Sequence, residues 1–289
     1  MPERKRMSPW LLGCGIGCGL VLLIIVGIVT AGSIFIGRTV SGFNEAVDAR
    51  DLLDERYGPA ADFTPPADGI IPGPRLEAFL AARDATAEAR ENIAGIFVRL
   101  PMSRGIAEQI EQKPLPQKIS HVLGIAGTAM SLGIEVGNFF NARNRAMLDA
   151  GVGMGEYTYI YALAYYAWLG HPPNDGPAVG NAGHEGDGLS MTSPAVRRRI
   201  HDELLSMLEN QREALPSGAP EDWRRALDDE IELMEDDPHR VPWEDGLPAQ
   251  TAASLEPYRE RLESAYNGLT NPLELARNRR RGRFSFTSD

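Results

Sequence analysis

The sequence predicts an all-α protein: a single N-terminal transmembrane helix followed by an exported multi-helix bundle. Three observations carry that reading. From Met7 to Gly37 no side chain is charged, and a bilayer core takes about 20 apolar residues to cross as a helix. Ala, Leu, Glu and Arg dominate the remainder, with apolar residues recurring at helical spacing. No strand-like alternation of any length appears.

Residues 1–8 read as a cytoplasmic N-terminus and residues 9–37 as the anchor. In lipid every backbone amide must be satisfied within the segment, which makes a helix the only open-chain solution. Arg4, Lys5 and Arg6 precede the run against Glu3 alone, so the positive-inside bias keeps the N-terminus in the cytoplasm and sends everything after Arg38 across a bacterial inner membrane. The run exceeds the about 7–15 apolar residues of a cleaved signal peptide. Leu11-Leu12-Gly13-Cys14 has the composition of a lipobox, but its apolar region follows the cysteine instead of preceding it. The anchor is therefore read as uncleaved, with the lipid bilayer as the partner of residues 9–37. Gly13, Gly15, Gly17 and Gly19 form overlapping Gly-xxx-Gly pairs, a spacing that lets helix backbones approach closely and suits self-association or pairing with another envelope protein. Both cysteines, Cys14 and Cys18, sit in this segment, so the exported part has neither a disulfide nor a thiolate zinc site.

Residues 38–73 read as a juxtamembrane helix, with Phe43, Val47, Leu52 and Leu53 at helical spacing, followed after Gly58-Pro59 by a proline-rich linker. Residues 74–276 form the exported domain. Its first helix starts at Pro74 and carries Leu76, Phe79, Leu80, Ile93 and Phe97 to a stop at Pro101; a short helix follows from Ser103 to Glu111. Gln117 to Ala150 is the most apolar stretch and is expected at the centre, with Gly124, Gly133 and Gly137 along a ridge of small residues. His121 and Glu135 within it argue against a second membrane span. Gly151-Val-Gly-Met-Gly reads as a helix–helix turn. The helix Glu156–Leu169, rich in tyrosine, is expected to lay its rings on the glycine ridge. After a polar loop come three amphipathic helices: one opened by Pro194 with Val196, Ile200, Leu204, Leu208 and Leu215 inward, one opened by Pro220 with Trp223, Leu227, Ile231 and Met234 inward, and one over Ala252–Tyr266 carrying Leu255, Tyr258, Leu262 and Tyr266. Residues 277–289 read as a basic flexible tail.

A net charge of −11 excludes general nucleic-acid binding. Only Lys5, Lys113 and Lys118 are lysines among many arginines, a bias expected of a GC-rich bacterial genome. The loop over residues 171–190 gathers His171, His184, Glu185 and Asp187, residue types that ligate divalent metals. Their spacing matches neither His-Glu-x-x-His nor an EF-hand. His121 and Glu135 share a helix face but stand about 21 Å apart, too far to act as an acid–base pair. No catalytic residues and no cofactor are assigned. The sequence thus reads as a membrane-anchored, non-catalytic helical interaction or scaffold protein of the bacterial envelope. Two alternatives stand beside it: a metal-dependent envelope enzyme using the 171–190 loop, and a ligand-binding sensor with a tyrosine-lined groove.

Overall fold

The computed structural model describes residues 45–99, 115–176 and 194–277, with side chains over 45–98, 131–176 and 196–277. Among them every regular element is helical, as the composition predicts. The predicted cytoplasmic segment and anchor, with Gly13, Gly15, Gly17 and Gly19, lie outside the described residues. Among the described residues no helix is long and apolar enough to cross a membrane.

Ten helices are described: α1 (45–57), α2 (Gly73–Ala85), α3 (Ala87–Arg99), α4 (Leu115–Ala150), α5 (Met154–Tyr161), α6 (Pro194–Glu213), α7 (Glu221–Asp236), α8 (Ala249–Leu255), α9 (Arg259–Ala265) and α10 (Asn271–Glu274). Helix α5 runs on into a π-helical stretch, Ala162–Trp168, and 3-10 turns occupy Ala60–Asp62 and Glu256–Tyr258. Helix α5 is the centre of the fold. Apart from Glu156, every side chain from Met154 to Tyr165 is buried, and α2, α6 and the Ala60–Asp62 turn pack around it. A second core joins α3 to α4 through Ile93, Phe97, Leu132, Val136, Phe139 and Phe140.

Helix α4 ends where the sequence puts its turn. Gly151 adopts φ +70°, Val152 N–H reaches back to the Met147 carbonyl at 2.8 Å and Gly151 N–H to Leu148 at 3.2 Å. This pair of bonds satisfies carbonyls that the helix end would orphan, and glycine takes the left-handed position without strain. The next two glycines make room. A Cβ on Gly153 would stand 2.7 Å from Tyr57 Cβ, and one on Gly155 would stand 2.5 Å from the Ala60 carbonyl oxygen. Backbone therefore approaches backbone here, and α5 can enter the core.

Four expectations are corrected. The helix expected over residues 74–100 is two helices, because Thr86 bonds its hydroxyl back to the carbonyls of Ala82 and Arg83 and so breaks the ladder between α2 and α3. The helix expected over 252–266 is likewise broken into α8 and α9 by the 3-10 turn at Pro257, which has no N–H to continue the ladder. The proline-rich stretch expected as a linker is a docked strap. Asn210 donates to the carbonyls of Ala61 and Phe63, Gln211 to Pro66, Trp223 to Ala67 and Thr251 to Gly69, while Ser254 accepts from Ile71 N–H. The tyrosines of α5 do not lie on the glycine ridge of α4. A Cβ on Gly133 would meet nothing within 4 Å; Gly137 is buried, and Gly124 falls where side chains are not described. The rings instead pack on Phe79 of α2 and on one another.

Candidate functional site: a buried arginine–glutamate cluster and an open cleft

The densest chemistry lies at the junction of α2, α5 and α10. Arg83 of α2 and Glu274 of α10 are both fully buried, with Nη1 3.1 Å from Oε1. The contact is ionic but poorly aligned, and Oε1 accepts no hydrogen bond. Oε2 accepts from the Tyr157 hydroxyl at 2.8 Å, and that hydroxyl in turn accepts from Arg83 Nη1 at 3.0 Å. Arg83 Nη2 donates to the Ala265 carbonyl. The guanidinium stands 5.2 Å and 5.0 Å from the ring centres of Tyr161 and Tyr165, within cation–π reach. Burial opposes its charge, but the Glu274 carboxylate and the phenols outweigh it and hold Arg83 protonated well above the ordinary arginine value.

Around this pair, Arg143 of α4 donates to the carbonyls of Leu273, Glu274 and Ala276 at 2.9, 2.6 and 3.0 Å. It thus satisfies carbonyls that the short helix α10 leaves open. Burial pushes its pKa down to about 10. Asn271 accepts from the hydroxyls of Tyr161 and Tyr166 and donates to the carbonyls of Pro173 and Asp175. Arg277, the first residue of the expected tail, is tied to Glu203 of α6 at 3.0 Å. Among the described residues, neither the cleft beside Phe63 and Tyr159 nor the small hollow beside Tyr166 and Asn271 is lined by Arg83 or Glu274. The cluster is a brace that joins the C-terminal segment to α2, α4 and α5, although Arg83 Nε, the Tyr165 hydroxyl and Glu274 Oε1 are buried without a hydrogen-bond partner among the described residues.

The metal candidates come out differently. His171 lies with its ring flat on Tyr266, centroids 3.7 Å apart and planes within 7°, and the Tyr266 hydroxyl donates to Asp175 at 3.0 Å. The start of the 171–190 loop is therefore fastened to the segment between α9 and α10. His184, Glu185 and Asp187 lie outside the described residues. Among the described residues no three His, Cys, Asp or Glu side chains converge to hold a metal.

On the opposite side of α5 a cleft of about 340 Å³ opens between the strap and the helix. Phe63, Thr64, Pro66, Ile71, Pro72, Tyr159 and Ile160 line it; Thr64 and Pro72 are exposed, whereas Ile71, Tyr159 and Ile160 are buried. The Phe63 and Tyr159 rings are 6.0 Å apart. One end is closed by Arg75, which donates Nε to Glu156 Oε1 at 2.6 Å, Nη2 to Glu156 Oε2, and Nη2 also to the Gly151 carbonyl at 2.9 Å. The hydrogen bonds to Glu156 hold Arg75 charged above its ordinary pKa. Of the tyrosines expected to line a groove, only Tyr159 lines this one, and it is itself a core residue, buried like Tyr157, Tyr161 and Tyr165. Sequence reasoning missed the cleft because its wall is the strap that was read as a linker.

Compared with known proteins, the chain matches no family model, no curated protein and no solved structure.

Proposed function

We propose that this chain is a membrane-tethered, non-catalytic interaction protein of the bacterial envelope, anchored through residues 9–37 with its N-terminus in the cytoplasm, and that the cleft between the strap and α5 is its contact site. The carrying observation is the cleft itself. Its volume, about 340 Å³, falls in the range of about 300–1,000 Å³ typical of ligand sites. It pairs apolar and aromatic walls with one fixed polar anchor, the Arg75–Glu156 pair. Such a site receives an apolar side chain or small ligand and orients it by a hydrogen bond at the ion pair. The tether and the basic N-terminal flank support the envelope placement.

The test uses the full chain in cells. A photo-crosslinking side chain at exposed Thr64 should capture a discrete partner. Thr64→Trp, introduced with the crosslinker moved to Pro72, should abolish that capture by filling the cleft while leaving thermal stability unchanged. Equal capture from Thr64 and from a crosslinker at Leu52, which is 53% exposed on α1, would overturn the assignment. A topology reporter placed after Asp289 should be active only outside the cytoplasm.

A further inference from the structure

We propose that the cleft between the strap and α5 selects an uncharged ligand, an apolar ring-sized group bearing a carbonyl oxygen such as an amide, over the matching carboxylate or amine, and that Arg75 Nη1 is the donor that reads that oxygen. The inference deepens the contact site proposed above and rests on it.

Arg75 stands in the first turn of α2, and its donors are shared out unequally. Nε and Nη2 both turn to the Glu156 carboxylate, and Nη2 gives its second N–H to the Gly151 carbonyl at 2.9 Å. A guanidinium is planar, with five N–H groups in a fixed fork. Pairing along its Nε–Nη2 edge therefore leaves Nη1 on the edge turned away from Glu156, with two N–H groups that bond nothing among the described residues. The Arg75 side chain lines the cleft and is 36% exposed, against 13% for Glu156. An incoming ligand therefore meets the guanidinium before the carboxylate. The wall is held as firmly as the donor. Arg75 N–H bonds the Pro72 carbonyl at 2.8 Å, Gln211 donates to the Pro66 carbonyl at 2.6 Å, and Ser254 accepts from Ile71 N–H at 3.3 Å. A site formed in advance needs little ordering when a ligand enters.

Charge decides what such a donor accepts. Of the nine residues that line the cleft, two are charged, Arg75 and Glu156, so its lining is neutral in a chain of net charge −11. A carboxylate on Nη1 would meet one cation but would also stand a guanidinium's width from the Glu156 carboxylate. It would lose its water among Phe63, Ile71, Tyr159 and Ile160 as well. An ammonium group would have to reach Glu156, whose two oxygens already accept from Arg75, past the guanidinium's charge. A carbonyl oxygen meets neither repulsion. It accepts a charge-assisted bond from Nη1 and leaves the ion pair whole, while its apolar body lies against the Phe63 and Tyr159 rings.

Matched probes on the full chain, reconstituted in lipid nanodiscs, test this: phenylacetamide, phenylacetate and phenethylamine, one ring with three end groups. Binding is read as saturation transfer from the protein to the ring protons, counted as the part that Thr64→Trp removes by filling the cleft, so that partitioning into lipid cancels. The amide should bind at least about tenfold more tightly than either charged probe. Glu156→Gln leaves the Arg75 charge uncompensated, and phenylacetate should then overtake the amide. Arg75→Met leaves Glu156 alone, and phenethylamine should overtake it instead. The wild-type ranking decides by itself where a variant fails to fold. Either charged probe binding the wild-type chain as tightly as the amide, or one ranking in all three chains, would overturn the selection and leave the cleft as a contact site. If no probe gives a signal that Thr64→Trp removes while a crosslinker at Thr64 still captures a partner, this inference falls alone; if capture fails too, the contact site falls with it.

Discussion

Arg83 and Glu274 meet at 3.1 Å with neither side chain exposed, and they come from near the start and the end of the described domain. A buried pair stabilises little against an apolar replacement, but removing one member leaves a stranded charge. Arg83→Met should therefore cost about 3–5 kcal/mol in urea unfolding. The double variant Arg83→Met with Glu274→Leu should cost less than Arg83→Met alone. A single-variant cost under about 1 kcal/mol, the size expected of an exposed pair, would show that the brace is not a structural unit.

The tyrosines of α5 give the domain an alkaline limit. Burial raises the pKa of Tyr157, Tyr159, Tyr161, Tyr165 and Tyr166 above the ordinary phenol value. A group raised in the folded state contributes stability in full below its unfolded pKa, and that contribution is lost as the pH climbs beyond it. The window opens at about pH 10. Five phenols at about 1.4 kcal/mol each per pH unit give a slope of about 7 kcal/mol per unit. Arg143, pushed down to about 10, acts with the opposite sign over the same window and offsets about 1.4 kcal/mol per unit. We expect these phenolates to appear, by absorbance near 295 nm, together with loss of helical circular dichroism in one steep step. Ionisation of all five with the helix signal intact would contradict the burial.

Much of the fold was legible because amphipathic helices announce themselves. Leu204, Leu208, Trp223, Leu227, Ile231, Met234, Leu255 and Leu262 are buried as their spacing predicts, while Val196, Ile200, Leu215, Tyr258 and Tyr266 of the same stripes are only half-buried. The brace was not read, although a signal existed. Arg83 continues the stripe Leu76, Phe79, Leu80, and Arg143 continues Val136, Phe139, Phe140, each occupying a position of the apolar face. A polar residue there is buried only if a distant partner meets it, and Glu274 gives no local sign that it will. The strap was missed for a related reason: its backbone is held by Asn210, Gln211, Trp223 and Thr251, residues remote in sequence.

Glycines should sort by their surroundings. Gly155→Ala places a methyl 2.5 Å from the Ala60 carbonyl oxygen and from Phe63 Cβ, an overpacking expected to cost about 1–3 kcal/mol. Gly133→Ala adds a methyl that meets nothing within 4 Å in the middle of α4, and should stabilise by about 0.5–1 kcal/mol. Thermal unfolding of the two variants should move in opposite directions. A destabilised Gly133→Ala would mean that some surface not seen around α4 closes on it.

Trp243 is the one non-glycine residue with positive φ among those described, at 61°, a conformation costing about 1–2 kcal/mol. Two contacts hold it there. Its indole stacks on Trp223 with ring centres 5.8 Å apart, and its N–H donates to Glu230 Oε1 at 2.9 Å. Glu230 is itself buried and clamped by both arms of Arg240, at 3.0 and 3.1 Å. Glu230→Ala removes the acceptor and strands Arg240, and should cost about 2–4 kcal/mol, with a red shift in tryptophan fluorescence as Trp243 leaves its stack. Glu230→Gln keeps a carbonyl oxygen for the Trp243 N–H and loses only the charge, so it should cost less and leave the emission unchanged. If both variants shift the emission equally, the charge of Glu230, acting through Arg240, sets the Trp243 backbone; if neither does, the stack on Trp223 alone suffices to hold it.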